Sequence, residues 1–268
     1  MKRRSTSYFA FWLLIAAPSI TYGQFSYPNF SSTSGLNLVG SAMVVSNAIQ
    51  LTSQGPNGIA SAFWYTTPVN VGAGFSTTFS YTIYPAGGAD GVAFVIQNDP
   101  SGPSAIGANG YRLAATGIAN GVAIAFRTYV FNDVEIDSCG VGGTITIGAC
   151  IIASVPEGAL SGTHTALINE SGGMLKVYLD GSQILSGSID LVNAVSGNTA
   201  YVGITGADGS DTETAVINSW SVTPGTTPAI TPVPSSIWLT LVGLMFTGIC
   251  FGFRRRPAQF SASINHYR

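Results

Sequence analysis

The chain has 268 residues, of which 10 are Lys or Arg and 12 are Asp or Glu, so only 8% are charged and the formal net charge is −2. Globular domains usually have about 25% charged residues. Here 46% of the residues are hydrophobic and 11% are aromatic, which excludes disorder driven by high charge and low hydrophobicity. No run of like charges lies inside the main body, so nucleic acid is a poor partner.

Residues 1–23 have the pattern of a secretory signal peptide. Lys2, Arg3 and Arg4 precede an apolar run over residues 8–18, and small residues suited to cleavage lie just before Gln24. The apolar run is shorter than the roughly 20 residues that a membrane-spanning helix needs. We therefore expect the chain to be exported, with a mature domain that begins at residue 24.

Residues 24–222 predict an all-β domain. Period-two alternation is clearest over residues 75–84, where Phe75, Phe79, Tyr81 and Ile83 point one way. Continuous apolar runs predict strands that are covered on both faces, although Arg127 interrupts one of them. The other predicted strands are residues 92–96, 122–129, 174–179, 200–204 and 215–222. With Gly-rich turns and no convincing amphipathic helix, this pattern predicts a two-sheet jelly roll.

The C-terminal part predicts a linker, an anchor and a basic tail. Residues 223–236 are rich in Pro and Thr, which is typical of an extended, semi-rigid linker. Residues 237–253 are uncharged and mostly apolar, at the lower length limit for a transmembrane helix. Residues 254–268 begin with three arginines. Under the positive-inside rule both basic ends lie in the cytoplasm and the middle lies outside it.

The segment from Pro232 to the three arginines resembles the PEP-CTERM sorting signal of exopolysaccharide-producing Gram-negative bacteria. Val233 stands where that family has Glu, and 12 residues follow the arginines where the family usually has few. The resemblance implies either release to the surface or medium after processing, or retention by a single-pass anchor. Both alternatives are left open.

Three cysteines bear on the redox environment. Cys250 lies in the C-terminal apolar run, which leaves Cys139 and Cys150 as a pair that can close a short Gly-rich loop. In an exported chain we expect these two to form a disulfide. The sequence has no Cys/His spacing that is typical of zinc sites.

The order and spacing of seven segments between residues 25 and 222 resemble the L-type, or legume-type, lectin domain. The segments are FSSTSGLNL (30–38), SAF (61–63), GFSTTFSYTI (74–83), ADGVAF (89–94), GANGYRLAATGIANGVAIAF (107–126), LKVYLDG (175–181) and YVGITGADGSDTETAVINSW (201–220). The resemblance implies a concanavalin A-like jelly-roll sandwich of two antiparallel sheets. It also implies reversible carbohydrate binding without catalysis, at a site shaped by calcium and a transition metal.

The same resemblance suggests the sugar site. Asp90 matches the family's aspartate that accepts hydrogen bonds from sugar hydroxyls, and a rigid carboxylate can take two hydroxyls at once. The Gly-rich loop would donate a backbone N–H, and an aromatic residue, Tyr129 or Phe131, would stack on the sugar ring. The predicted carbohydrate-binding residues are Asp90, Gly107, Gly110, Tyr129, Asn132, Asp208 and Ser210.

The family's metal ligands are largely replaced. Ala125 and Arg127 stand where the family has Glu and Asp, which leaves at most Asn132, Asp133 and Asp137 as oxygen ligands. Our hypothesis is that Arg127 fills the space and pairs with Asp90 or Asp137, while the 139–150 disulfide braces the loop. The alternative is that Arg127 points to solvent.

Two other functions compete with carbohydrate binding. Glu135-Ile136-Asp137 matches part of the catalytic motif of β-glucanases, but the third carboxylate is missing, and His164 has no nucleophile elbow nearby. We therefore predict a protein that is not an enzyme. It binds carbohydrate or exopolysaccharide at the cell surface or in the extracellular matrix. The rival hypothesis is a structural matrix or adhesion protein whose lectin fold no longer binds sugar.

Overall fold

The computed structural model describes residues 24–225, which are almost entirely β-structure. The strands are β1 (Phe25–Tyr27), β2 (Leu36–Gly40), β3 (Met43–Val45), β4 (Ala48–Gln50), β5 (Ala60–Tyr65), β6 (Val69–Asn70), β7 (Phe75–Tyr84), β8 (Gly91–Gln97), β9 (Gly121–Arg127), β10 (Asp133–Asp137), β11 (Ile151–Pro156), β12 (Gly162–Ser171), β13 (Met174–Leu179), β14 (Ser182–Ser188), β15 (Thr199–Ala207) and β16 (Thr214–Pro224). Within this range the only α-helix, α1 (Leu191–Ala194), is a single turn, and two 3-10 turns cover Gly102–Ser104 and Gly110–Arg112.

The predictions for the two ends of the chain fall outside this range. The signal peptide at residues 1–23, residues 226–236 of the predicted linker, the apolar segment at 237–253 and the tail at 254–268 are not among the described residues. The predicted start of the linker at residue 223 was wrong, because Thr223 and Pro224 belong to β16 and pair with β7. Between residues 24 and 225, no helix has the length and apolar character needed to cross a membrane.

The strands form two antiparallel eight-stranded sheets, as the jelly-roll prediction requires. The first sheet has the order β14-β13-β12-β7-β16-β4-β3, with β1 also paired to β16. The second has the order β11-β10-β9-β8-β15-β5-β2, with β6 also paired to β15. Strands that are distant in sequence are neighbours in both sheets, and the two inner faces pack against each other.

The core between the sheets follows the sequence alternation. β7 has the predicted bounds, and Phe75, Phe79, Tyr81 and Ile83 are all at most 2% exposed while the residues between them, apart from Thr77, are only half-buried. Each such side chain stabilises the fold by about 1.5–3 kcal/mol relative to an exposed one. Trp220 of β16 packs edge-on against Phe63 across the core, with ring centroids 5.3 Å apart.

The second sheet is covered on both faces, which explains its continuous apolar strands. Every residue of β8 and of β9 is buried. Val92, Phe94 and Ile96 face the core between the sheets. Ala93 and Val95 face a second apolar cluster that loops 105–118 and 145–147 place over the outer face. The prediction that these strands are buried on both sides is confirmed.

Candidate functional site

Four chain segments meet at the end of the second sheet where β8 begins and β9 and β15 end. The Asp90 N–H donates to the Ala207 carbonyl (3.1 Å), and the Thr128 N–H donates to the Asp90 carbonyl (3.1 Å). The Gly110 N–H donates to the carbonyl of Asp208 (2.9 Å), which joins the Gly-rich loop to the segment after β15. These bonds fix the segments relative to one another.

Together the segments form a cleft of about 400 Å³, here called the Asp90 cleft. Its walls are mainly apolar, with two carboxylates and one hydroxyl-bearing serine among the lining residues. The lining residues are Ala89, Asp90, Gly110, Tyr111, Tyr129, Val130, Phe131, Gly209, Ser210 and Asp211. A concave, largely apolar site with a few convergent polar groups is typical of small-ligand binding.

Asp90 is the polar centre of the cleft. Its side chain is only 6% exposed, and its Oδ2 has no hydrogen-bond partner in the protein. A Cβ atom at Gly209 would lie 3.3 Å from this oxygen and one at Gly110 would lie 3.9 Å away, so the two glycines allow the loops to pack closely around the Asp90 carboxylate. The Ala89–Asp90 peptide bond is cis. Burial, followed by the charges of Asp208 and Asp211, raises the pKa of Asp90 to about 6.

Three exposed aromatic side chains form the rim of the cleft. Tyr111 is 48% exposed, Tyr129 is 39% exposed and Phe131 is 51% exposed, which is unusual for such large apolar groups. The Tyr129 hydroxyl lies near Asp211, and hydrogen bonding to this carboxylate, followed by its charge, raises the pKa of Tyr129. Exposed ring faces beside a free carboxylate can pack on one face of a sugar while the carboxylate binds its hydroxyls.

The structure places four of the seven predicted sugar-binding residues in the cleft lining: Asp90, Gly110, Tyr129 and Ser210. Gly107, Asn132 and Asp208 are not among the lining residues. The Gly107 N–H donates to the Ala114 carbonyl (2.7 Å), and the Gly110 amide bonds Asp208, so neither amide is free for the role that the resemblance implied.

Asp208 and Asn132 have other positions. Asp208 is fully buried, and its Oδ1 accepts from the Ile59 N–H at 2.7 Å, so it anchors the loop from behind. Asn132 is exposed and adopts a left-handed conformation with φ +42°, which places it in the turn that joins β9 to β10. Sequence reasoning missed Tyr111 and Asp211, although each directly follows a predicted residue.

A second acidic group lies behind Asp90. Glu213 is fully buried, its Oε2 accepts from the Thr128 hydroxyl (2.8 Å), and its Oε1 has no partner. Burial raises the pKa of Glu213 to about 7, against the effect of the Thr128 bond and with a contribution from Asp90 and Asp208. Burial also raises the pKa of Asp208. The floor of the cleft therefore contains several closely spaced carboxyl groups, and their burial favours the protonated form.

Arg127 is buried beside the cleft and is paired within the protein. Its side chain is 8% exposed, and its Nε and Nη2 donate to the two oxygens of Asp133 at 2.8 and 2.6 Å. Nη2 also lies 3.0 Å from Oε2 of Glu135, which is an ion pair without the alignment of a hydrogen bond. The guanidinium carbon lies 4.2 Å from the Phe131 ring centroid. Arg127 thus connects β10 to the aromatic rim.

The predicted partners of Arg127 were wrong, and so was the alternative that it points to solvent. β9 and β10 are antiparallel, and Asp133 lies directly opposite Arg127 in their register. Opposite residues project from the same face of a sheet, and Glu135 lies two residues further along that face. Asp90 lies in another segment of the chain, and it takes part in neither of the two Arg127 ion pairs.

The residues present do not fit a calcium or transition-metal site. The guanidinium of Arg127 lies among the carboxylates that would have to bind an ion, and it already neutralises Asp133. Calcium needs six to eight oxygen ligands. Across residues 24–225, no group of three or more His, Cys, Asp or Glu side chains is arranged to hold a metal ion.

The loop opposite this cluster is closed by the predicted disulfide. Cys139 and Cys150 are bonded, and their Cα atoms are 5.1 Å apart. Within the loop, the Gly148 N–H donates to Asp137 Oδ1 (3.1 Å), and a Cβ at Gly148 would lie 3.2 Å from Arg127 Nη1. The disulfide-closed loop therefore covers the buried cluster of Arg127 and its acidic neighbours.

The residues considered for catalysis lie elsewhere. Glu135 and Asp137 are both 0% exposed and are absent from the cleft lining. Burial, and then the neighbouring Glu135, raises the pKa of Asp137 to about 8. His164 lies on β12 of the first sheet, where its Nδ1 is 2.7 Å from Asp180 and its Nε2 is 3.1 Å from the Ser161 carbonyl. His164, like the two acids, is not among the residues that line the cleft.

Comparisons with known proteins agree with this architecture. Residues 22–147 match the family described as legume lectin domain. Lectin I-B4 from Griffonia simplicifolia, in its metal-free form, is 24% identical with a TM-score of 0.63, over 75% of this chain and 98% of that one. A lectin from Bauhinia forficata in complex with GalNAc is 25% identical with a TM-score of 0.62, over 77% and 100%.

Arcelin-5, a lectin-like defence protein from Phaseolus vulgaris, is 22% identical with a TM-score of 0.62, over 75% of this chain and 97% of that one. No curated protein matches the sequence. The described residues form two antiparallel sheets, and loops at one end of the second sheet line the Asp90 cleft. The chain therefore has the legume-lectin jelly-roll fold, with a legume lectin domain match over residues 22–147.

Proposed function

We propose that the protein binds carbohydrate in the Asp90 cleft and does not catalyse a reaction. One observation carries the proposal: the nearly buried Asp90 keeps an unpartnered oxygen at the floor of a cleft whose rim is aromatic. A buried carboxylate without a partner is costly unless a ligand supplies hydrogen bonds. The legume-lectin fold implies the same activity, and the Bauhinia lectin of that fold is in complex with GalNAc.

We also propose that binding needs no divalent metal, because Arg127 pairs with the acidic residues of β10 and supports the wall of the cleft. Its bidentate contact with Asp133 holds the start of β10, and its contact with Phe131 supports the rim. A guanidinium fixed by two parallel hydrogen bonds is a rigid support. The segment that lines the cleft is thus held by side chains of the protein itself.

The absence of catalysis is part of the same proposal. The β-glucanase hypothesis needs two carboxylates beside the bound sugar, whereas Glu135 and Asp137 lie buried next to Arg127. We expect no release of reducing ends when the protein is incubated with β-glucans. Turnover that Glu135→Gln abolishes would contradict the proposal.

We further propose export and a role at the cell surface or in the extracellular matrix, with membrane contact through residues 237–253 or release after processing. The N-terminal pattern supports export, and so does the disulfide between Cys139 and Cys150, since such bonds persist in oxidising compartments. Detection of the protein in the extracellular or membrane fraction, with residues 1–23 removed, tests this proposal.

An array of neutral glycans, including GalNAc, galactose and fucose, tests the binding function. We expect binding to at least one glycan, unchanged by EDTA. Asp90→Asn and Asp90→Ala should each weaken it by about tenfold or more, the effect of losing a charge-assisted hydrogen bond. Glu157→Gln removes an acid outside the cleft lining and should bind as the parent does. Binding that survives Asp90→Ala contradicts the site, and binding lost with EDTA contradicts metal independence.

A further inference from the structure

The acidic residues in and behind the Asp90 cleft restrict the kind of sugar that can bind there. Two of its lining residues, Asp90 and Asp211, are acidic, and none of the ten is Lys, Arg or His. Asp208 and Glu213 lie buried behind them, each with one unpartnered oxygen. A ligand in this cleft therefore meets carboxylates at the rim and at the floor, with further carboxyl groups beneath the floor.

The nearby cations do not reverse this charge. Arg127 is engaged with Asp133 and Glu135, so its charge is offset by two carboxylates at 2.6 and 3.0 Å. Arg112 lies over the outer rim, with its guanidinium carbon 5.0 Å from the Tyr111 ring centroid. The third basic residue of the range 24–225, Lys176, is on β13 in the first sheet.

Asp90 is the group that most needs a positive partner. The residue is only 6% exposed, it lines the cleft, and its unpartnered Oδ2 lies against Gly209 and Gly110. A hydroxyl can satisfy a hydrogen bond of this carboxylate but not its charge. An ammonium group does both, and such charge-assisted bonds are about twice as strong as neutral ones.

The rim suits the same ligand. Tyr111, Tyr129 and Phe131 are exposed around the carboxylates, and a guanidinium already lies over one face of Tyr111 and one face of Phe131. Aromatic faces attract cations through their quadrupole and also pack against the apolar face of a pyranose. Carboxylates inside an aromatic rim are thus complementary to a sugar that carries a positive charge next to its ring.

We propose that the Asp90 cleft selects carbohydrates with a free amino group, such as oligomers of 2-amino-2-deoxyglucose, over N-acetylated or acidic ones. The ammonium faces Asp90 and Asp211, while the sugar ring packs against Tyr129 and Phe131. This proposal rests on the carbohydrate-binding function and specifies its ligand class. Uronic acids and sulfated sugars are disfavoured, since their anions would face the same carboxylates.

Calorimetry on the full chain with three matched oligosaccharides tests this selectivity. The probes are an oligomer of glucosamine, the same oligomer fully N-acetylated, and an oligomer of glucuronic acid, at a pH where the amine is protonated. We expect the amine form to bind at least about tenfold more tightly than the N-acetylated form. This ratio should fall as salt is added, because Asp211 is exposed.

Asp211→Asn separates this inference from the proposed function. Since Asp211 is exposed, the substitution should not disturb folding. It should remove most of the preference for the amine form, measured as the ratio of the affinities for the two forms, whereas Glu157→Gln should leave this ratio unchanged. Equal or tighter binding of the N-acetylated or acidic oligomer overturns the amino-sugar selectivity alone. If neither these oligomers nor any neutral glycan binds, the carbohydrate-binding function is overturned as well.

Discussion

Replacement of Arg127 should destabilise the fold in a way that depends strongly on pH. Arg127→Ala removes the bidentate contact with Asp133 and the ion pair with Glu135, whose side chain is 0% exposed. Removal of one member of a buried ion pair typically costs about 3–5 kcal/mol, because the other charge is left without compensation.

The contacts of Arg127 set the size of this effect. Without Arg127, Glu135 can avoid being an isolated buried charge by taking up a proton. Protonation of a carboxyl group with an ordinary pKa of 4.5 costs about 3.4 kcal/mol at pH 7. Arg127 lowers the pKa of Glu135 against the effect of burial, so its loss removes that opposition. We expect the free energy of unfolding to fall by about 3 kcal/mol, or by roughly 6–12 °C in the thermal midpoint.

Urea unfolding of the purified chain at pH 7 and at pH 5 measures this loss. At pH 5 the protonation of Glu135 costs only about 0.7 kcal/mol, so Arg127→Ala should be much less damaging there. Arg127→Lys keeps the charge without the planar fork, and should lie between the parent and Arg127→Ala. A double variant that adds Glu135→Gln should recover much of the stability.

Two results would refute this reasoning. One is a loss below about 1 kcal/mol at pH 7, which is the range of an exposed ion pair. The other is a loss that is equal at the two pH values, since this would assign the effect of Arg127 to packing rather than to charge.

Three further predictions concern neighbouring groups. Glu213 binds a proton in the folded state that it lacks when unfolded, so the free energy of unfolding should fall as pH rises from about 4.5 to about 7, and Glu213→Gln should remove this part of the pH profile. Replacement of both Cys139 and Cys150 by Ser should cost about 3 kcal/mol in urea unfolding, because an open loop gains entropy in the unfolded chain. Gly209→Ala should weaken glycan binding by about tenfold in calorimetry without a change in the thermal midpoint, since its Cβ would lie 3.3 Å from Asp90 Oδ2.

The parts of the fold that the sequence predicts are those where local pattern and tertiary burial agree. β7 and β13 have the predicted bounds, since one face of each strand meets the core and the alternation of side chains records it. β10 was missed because its three acids, Asp133, Glu135 and Asp137, are unusual in a strand. Arg127 on the neighbouring strand pairs with Asp133 and Glu135, and the Gly148 N–H donates to Asp137, so these acids are buried through contacts that the pattern of the strand itself does not show.

The same distinction applies to the cleft. Asp90 and Gly110 could be assigned to the site through a resemblance in short motifs, and both line the cleft. The hydrogen-bond partners of their backbone N–H groups could not be predicted, because Asp90 bonds Ala207 and Gly110 bonds Asp208, in segments about 100 residues apart in sequence. Asp208 is one example. It follows a glycine-containing strand, as a surface loop residue would, yet its buried carboxylate accepts a hydrogen bond from the Ile59 N–H.

The position of one cation decides the charge of the whole site. The range 24–225 contains all twelve acidic residues and only Arg112, Arg127 and Lys176 as basic ones. Had Arg127 reached Asp90, one of the two partners that the sequence suggests, it would have neutralised the floor of the cleft and favoured neutral or acidic sugars. Its register with Asp133 instead directs it to β10, and Asp90 keeps an oxygen that no protein group satisfies. A strand pairing outside the cleft therefore sets which ligand charge the cleft can accept.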